Sequence, residues 1–314
     1  MDYSKIRVFE QVTVLPIVTV LEKKKDKKYI TEIFEPLNGD FIKINSTSQE
    51  IWLDNDLNII NINLSKVDLQ LRSKIEVDCQ SLDKFAQIKF GIKLYETGKG
   101  KPPQKPNFAK EKIYEADNKV DETYRPYLEG KDINPYVIEY KNRWLKYGEN
   151  LAAPRDPNLF KGKRILIRRI VGKTLISAYT DENYVTSQLL QIVKPTIQED
   201  TKFLLGVLNS KLIAFYFRKK YNRQDKTFPE IRIYELCSLP IKNIIASNKP
   251  IQIDIVKFVE KLLRFKEEQQ SLKLQSKINQ IQSKIEIYEN KINQLVYQLY
   301  ELREEEIKIV EGKK

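Results

Sequence analysis

The sequence predicts an α+β fold: a strand-rich domain over residues 86–245, followed by long C-terminal helices arranged as a coiled coil or a helical hairpin. Three observations carry this. Short apolar runs such as IKFGIKLY, WLKYG, RILIRRIV, KTLISAYT and YVTSQLLQIVKP are separated by turn residues, among them Gly98, Gly100, Pro102, Pro103, Gly148, Pro154, Pro157, Gly162 and Gly172. That is the pattern of β-strands bounded by turns. From Ile251 to Glu311 there is neither Gly nor Pro. Within that stretch Leu274, Ile278, Ile281, Ile285, Tyr288, Ile292, Leu295, Leu299 and Leu302 step alternately by four and three residues, an a/d heptad seam.

The elements follow in chain order. VFEQVTVLPIVTVLEKKK (8–25) is rich in β-branched residues and predicts two short strands, or one with an edge at Pro16. A run this apolar suits a strand buried on both faces of a parallel sheet, so the rest of that sheet is expected elsewhere. Residues 36–85 alternate short apolar pieces with Asn, Asp and Ser, and predict mixed connecting structure with a helix or two. TKFLLGVLNSKLIAFYF (201–217) spaces Leu204, Leu205, Leu208, Leu212, Phe215 and Tyr216 as one helix would. The seam at 274–302 fits two readings, a partner or dimer interface and a helix pair packing on its own chain.

Composition narrows the chemistry. The 314 residues suffice for one large or two modest domains plus an extension. Aromatic content of 10%, with 17 tyrosines, argues against disorder. Fifty-five Lys and Arg against 43 Asp and Glu leave a formal charge of +12, which suits a polyanionic partner. Histidine is absent, which removes Ser-His-Asp, Cys-His and His-metal chemistry. Cys79 and Cys237 have no metal-ligand spacing and give no disulfide framework, which fits a reducing compartment. No apolar run approaches the ~20 residues of a membrane helix. The opening MDYSKIRVFEQ places charges where a signal peptide needs an apolar core. A cytoplasmic protein without membrane association is expected.

Four stretches invite a chemical reading. GKDINPYV (130–137) carries Asn134-Pro135-Tyr136, one proline short of the Asn-Pro-Pro-Tyr signature of DNA amino-methyltransferases. The polar, turn-like YRPYLEGKD before it does not deliver such a motif to a sheet edge, so an X-Pro turn is the better account. TGKGKPPQK (97–105) resembles a phosphate loop, but Pro102 and Pro103 prevent the helix that a Walker motif opens. It remains a basic loop whose lysines and backbone N–H groups suit phosphates. KGKRILIRRIVGK (161–173) has six basic residues and no acid around a buried apolar strand, so its basic ends can line a groove. FYFRKKYNRQDK (215–226) interleaves aromatics and cations. Its apolar members belong to the preceding helix, and the cations beyond are the candidates for a nucleic acid. No nuclease carboxylate–lysine set and no Gly-rich S-adenosylmethionine loop is found.

Several segments together resemble one family. VFEQVTVLPIVTVLEKK is similar to the closing strands of the catalytic domain in TaqI-like and type IIG restriction–modification DNA adenine-N6 methyltransferases. KFGIKLYETGKGKPPQ resembles the start of their target-recognition domain. YRPYLEGKDINPY, WLKYGENLAAPRDPNLFKGKRILIRRI, FLLGVLNSKLIAFYF, ELCSLPI and INQLVYQLYELREEEIKIVE follow in the family's order. The resemblance implies four regions: 1–35, a short N-terminal remnant of the α/β methyltransferase sheet; 36–85, a connecting segment; 86–245, the target-recognition domain; and 246–314, helices. It implies that GKDINPY is an element of the specificity domain rather than a catalytic motif. The implied function is sequence-specific binding of double-stranded DNA, with S-adenosylmethionine and the catalytic motifs on a separate domain or subunit. The DNA-contact candidates are Tyr95, Lys99, Lys101 and Gln104 by resemblance. Lys131, Arg155, Arg168, Arg169, Lys219 and Arg223 join them by charge and placement. No catalytic or metal-binding residue is expected in this chain. The alternative is a coiled-coil assembly subunit similar to type I specificity subunits, self-associating through 274–302.

Overall fold

Asn38-Gly39 closes the first hairpin. Strands β1 (Ile30–Leu37) and β2 (Asp40–Ser48) run antiparallel around these two residues, whose φ angles are 52° and 91°. A two-residue turn of this hand matches the twist of the strands it joins, and Asn-Gly is its strongest sequence signal. The structure, a computed structural model, describes residues 1–3, 8, 16–23, 29–53, 60–62, 64–221 and 230–313. The chain divides into two units, residues 1–73 with 219–222, and residues 74–218 with 223–314.

In the first unit the Met1 ammonium donates to the Val18 carbonyl at 2.7 Å, and Asp2 pairs with Ile17 in an isolated bridge. Of the strands expected over 8–25, residues 9–15 and 24–25 lie outside the described residues. Residues 18–23 form no strand, and Val20 and Leu21 are 86% exposed. The burial expected there is not found, because no strand covers these side chains among the described residues. Helices α1 (Glu50–Leu53) and α2 (Lys66–Glu76) supply the helix or two expected before residue 85. Ser65 and Asp68 cap α2 reciprocally. The Ser65 hydroxyl accepts from the Asp68 N–H, and the Asp68 carboxylate accepts from the Ser65 N–H, each at 3.0 Å.

The second unit begins with β3 (Cys79–Ser81), β4 (Ala86–Phe90), the short α3 (Phe108–Glu111) and β5 (Glu115–Ala116). It continues through β6 (Tyr124–Leu128), β7 (Ile133–Asn134), β8 (Val137–Ile138) and β9 (Trp144–Lys146). Then come β10 (Arg164–Arg168), β11 (Ser177–Thr180), β12 (Val185–Thr186) and β13 (Leu190–Pro195). One four-stranded sheet has the order β11-β10-β13-β4 and is antiparallel throughout; a second has the order β12-β6-β9-β5, with β12 parallel to β6. Leu166, Ala178, Leu190 and Ile192 of the first sheet and Tyr127, Leu128, Leu145 and Val185 of the second share one buried cluster. Strand β10 is buried at Arg164, Ile165, Leu166 and Ile167 in succession. That explains why RILIR reads as a continuous apolar run rather than an alternating one.

The helix expected over 201–217 is two helices, α4 (Thr201–Leu208) and α5 (Lys211–Lys220). The break falls at Asn209-Ser210, where side-chain oxygens take over from the backbone. Asn209 is buried and holds the β11 edge at both ends of one residue. Its Nδ2 donates to the Ser177 carbonyl and its Oδ1 accepts from the Ser177 N–H, each at 3.0 Å. The Ser210 hydroxyl accepts from the Ile213 N–H and starts α5. Asn209→Ala should therefore destabilise the unit by about 1–3 kcal/mol through the stranded Ser177 N–H. The check is a lower urea midpoint at unchanged slope.

α6 (Ile233–Cys237) and β14 (Pro240–Lys242), which pairs with β3, lead to α7 (Lys249–Ser271), α8 (Gln275–Leu299) and α9 (Glu304–Glu311). α4 packs on β10, β11 and α7, and α7 packs on α8. A Cβ on Gly206 of α4 would lie 2.8 Å from Ile255 and 3.0 Å from Val259 of α7, so the missing side chain lets the two helices meet. Of the two arrangements expected for the C-terminus, the hairpin is the one found. Ile281, Ile285, Ile292 and Leu299 of the seam are buried, as are Ile255, Val259 and Leu262 of α7. Tyr288 meets Phe258 and Phe265 of α7 at ring distances of 5.5 and 5.4 Å. The seam at 274–302 thus takes the second of its two readings, a helix pair packing on its own chain. The apolar stripe already faces a helix of its own chain, and Leu274, at its start, is outside the packing and 58% exposed.

Candidate nucleic-acid interface

Register gathers the cations. Phe90 of β4 pairs with Gln191, Arg168 of β10 pairs with Leu190, and Ile167 pairs with Ser177, so these residues mark one end of the first sheet. The chain leaving β4 continues beside the chain entering β13. The Ile92 N–H donates to the Thr186 carbonyl and the Gln188 N–H to the Ile92 carbonyl, both at 2.8 Å. Arg169 N–H donates to Leu189 at 2.9 Å, and Arg155 Nε donates to the Phe90 carbonyl at 3.2 Å. The Ser187 N–H donates to Leu128, whose strand runs directly into the turn Gly130–Asp132 that carries Lys131. Arg155, Arg168, Arg169 and Lys131 thus arrive at the same end of the sheet from three separate segments.

Their side chains differ in freedom. Arg168 is half-buried and makes no side-chain hydrogen bond or ion pair among the described residues. Arg169 pairs with Glu230 at 2.9 Å and Lys131 with Glu129 at 3.0 Å, both at exposed or partly exposed positions. Such pairs are worth little in water and yield readily to a phosphate. Arg155 is half-buried against the Phe90 carbonyl.

The loop after β4 is built onto the same region. Lys93 N–H donates to Ala153, Ala152 N–H to Leu94, and Lys101 N–H to the Glu149 carbonyl at 2.7 Å. Lys99 is exposed and has no side-chain hydrogen bond among the described residues, while Lys101 is 77% exposed and lies 3.3 Å from the Glu149 carboxylate. Of the expected contacts in this loop, Gln104 is buried and Tyr95 half-buried. Gln104 is 3% exposed, and its side chain is taken up by Leu94, Glu96 and Asn150, so it is a framework residue. Tyr95 stacks on Tyr114 at 5.6 Å, and its hydroxyl accepts from the Tyr114 N–H. Burial pushes that hydroxyl up to about 12 against the pull of this bond. One face of the Tyr95 ring is therefore closed to a base.

Two further expectations are corrected or left aside. Lys219 lies in the first unit, 23% exposed and 2.9 Å from Asp68, so it is held in an ion pair rather than displayed. Arg223 lies outside the described residues. Among the six basic residues of 161–173, Arg164 is fully buried. Its guanidinium donates to the carbonyls of Gly162, Glu182 and Tyr184, and burial pushes it down to about 10. It closes the sheet and cannot line a groove.

Sequence reasoning missed Arg143. Its Nη1 lies 2.5 Å from Glu129, its Nη2 bonds the buried carboxylate of Asp132, and its guanidinium sits 5.6 Å from the Tyr127 ring. Asp132 also accepts the Glu129 N–H at 2.7 Å, so GKD is a capped turn clamped from β9's side of the chain. Tyr136 of the same stretch is buried with φ +66° and donates its N–H to Ser177. Asn134-Pro135-Tyr136 is thus a turn packed on β11, as the sequence led one to expect.

Parts of this chain are similar to known proteins. The model of the TaqI-like C-terminal specificity domain matches residues 125–241. Lys131, Arg155, Arg168 and Arg169 fall inside the matched residues, and the loop with Lys99 and Lys101 lies before them. The chain is 30% identical over 194 residues to a putative type II restriction enzyme and methyltransferase of Methanocaldococcus jannaschii. That match covers 59% of this chain and 15% of the relative, so the chain spans a small fraction of the relative's length. The type IIL restriction–modification enzyme MmeI, solved in complex with DNA, aligns with 92% of this chain and 41% of its own, at a TM-score of 0.50 and 11% identity. The type IIG restriction endonuclease BpuSI aligns with 82% of this chain and 36% of its own, at a TM-score of 0.42 and 13% identity. The likeness to MmeI shows a shared α+β fold.

Proposed function

We propose that this chain recognises a specific sequence of double-stranded DNA, as the target-recognition part of a restriction–modification adenine-N6 methyltransferase. The observation that carries the reading is the convergence of Lys131, Arg155, Arg168 and Arg169 at one sheet end of a specificity domain. Arg168 and Arg169 sit where a rigid strand ends, so their planar donors can be aimed at base edges. Lys131, Lys99 and Lys101 suit the phosphates on either side, which set register without reading sequence. The net charge of +12 supplies the long-range attraction.

The methyl-transfer chemistry belongs, in this reading, to a catalytic part that holds S-adenosylmethionine and is either joined to this chain or bound to it. The relative from Methanocaldococcus jannaschii, described as both restriction enzyme and methyltransferase, supports that division. No described helix is long and apolar enough to cross a membrane. We place the activity in the cytoplasm, where the cell's DNA is reached directly.

The test is selection of bound duplexes from a randomised pool, with the catalytic part present. Arg168→Gln or Arg169→Gln should relax the selected sequence and cost about 1–3 kcal/mol at the base concerned. Lys131→Gln should weaken all duplexes alike and reduce the salt slope by about 0.9. A wild-type chain that binds no duplex in a salt-sensitive way would overturn the reading.

A further inference from the structure

We propose that Gln104 is the positioning residue of the cationic turn 96–105, holding Lys99 and Lys101 where they meet duplex phosphates; this rests on the reading of the chain as a DNA-binding protein. The turn is Gly-rich and exposed, and a Gly-Lys-Gly-Lys segment has many backbone states in isolation. Here backbone bonds such as Lys101 N–H to the Glu149 carbonyl hold it, and the side-chain bonds that join them all come from Gln104. Gln104 Oε1 accepts from the Glu96 N–H at 2.8 Å, while Nε2 donates to the carbonyls of Leu94 at 2.9 Å and Asn150 at 2.8 Å. The first two ties close the turn on itself, and the third fastens it to the segment that leads to Arg155. The Gln104 backbone completes the closure, accepting from the Gly98 N–H at 2.9 Å and donating to the Lys99 carbonyl at 2.8 Å.

The two lysines stand outside this framework, and their electrostatic setting suits a turn poised for an anion. The carboxylates nearest them are Glu96, which Lys93 holds in an ion pair at 2.7 Å, and Glu149, which faces Lys101 at 3.3 Å from a 75% exposed position. The Lys93 bond keeps the Glu96 carboxyl below the usual range. Ordering a turn before it binds removes that entropy from the binding step, so loss of the framework should appear as loss of the phosphate contacts it aims.

The experiment is a mutant cycle on the full chain, binding a random-sequence duplex between about 50 and about 200 mM salt. Lys99→Gln with Lys101→Gln should reduce the slope of log affinity against log salt by about 1.8, the counterions of two phosphates. Gln104→Leu should give a comparable reduction with both lysines present. It should have no further effect once both are replaced, because its action passes through them. An unchanged slope in Gln104→Leu, even with a lowered melting temperature, would mean that the glutamine is structural only and would overturn the proposal. So would an equal effect in both backgrounds. If wild type shows no salt-dependent binding, the reading of the chain as DNA-binding falls first; if wild type binds and only the cycle fails, that reading stands without this proposal.

Discussion

Gly91→Ala should remove the folded strand-rich unit rather than weaken it. A Cβ on Gly91 would lie 2.2 Å from the Thr186 carbonyl oxygen, 2.3 Å from that of Ser187 and 2.7 Å from the Ser187 carbonyl carbon. All three are backbone atoms, so no side chain can rotate away. The same stretch is held by the Ile92 N–H on Thr186 and the Ser187 N–H on Leu128, and Ile92 and Leu128 are completely buried. Separating the two segments would open the cluster between the sheets. The expected cost exceeds about 4 kcal/mol, in the range reserved for backbone and core failures. Thermal unfolding followed by circular dichroism checks it, with the exposed Lys89→Ala two residues earlier expected within about 0.5 kcal/mol of wild type. A soluble Gly91→Ala protein that melts with wild type would show that the two segments do not approach as described.

Arg143→Met should cost about 3–5 kcal/mol, because it leaves the Asp132 charge buried without its cation. The Asp132 side chain is 1% exposed and the Arg143 side chain 16%, so water does not replace the lost partner. Arg143→Lys should recover only part of the loss, since a point charge cannot bond Glu129 and Asp132 with one planar fork. The pH dependence has a definite sign. Burial acts to raise the Glu129 carboxyl, but the hydrogen bonds from Arg143 and Lys131 outweigh it and hold the group below its usual range. Its contribution to stability is therefore fully present above the unfolded value of about 4.3 and is lost as pH falls through the depressed folded value. In Arg143→Met that acid-limb loss should shrink, as urea titrations at about pH 7 and about pH 3 would register. Because the same turn carries Lys131, the variant should also bind duplex DNA less tightly. A variant with wild-type stability at neutral pH would show the clamp to be superficial.

The candidate interface was legible where the signal was local. RILIRR placed Arg168 and Arg169 at a strand end, because a run of apolar residues followed by cations can end in only a few ways. GKGKPPQ announced a basic turn through its glycines and prolines. Gln104 and Arg164 could not be assigned from the same stretches. A polar residue beside a turn is exposed in most contexts, and burial needs partners that lie far along the chain: Asn150 for one, Glu182 and Tyr184 for the other. Arg143 was missed for a related reason, since its carboxylates at Glu129 and Asp132 face it across a loop rather than along a helix. Asn38-Gly39 was a readable hairpin signal that lay in a segment assigned to connecting structure.

By itself, then, the sequence determined periodicity and punctuation: where strands and helices begin and end, the seam at 274–302, the excess of positive charge, and an order of segments that resembles a specificity domain. Those are short-range properties, set by φ/ψ preferences and by the spacing of apolar side chains. Only the tertiary structure decided what each face meets. It turned the seam onto α7, buried Gln104 and Arg164, split one helix at Asn209, and brought cations from three segments to one end of a sheet. The physical reason is that burial and pairing depend on strand register and on close approaches such as Gly91 against Thr186, which join residues about a hundred positions apart in the chain.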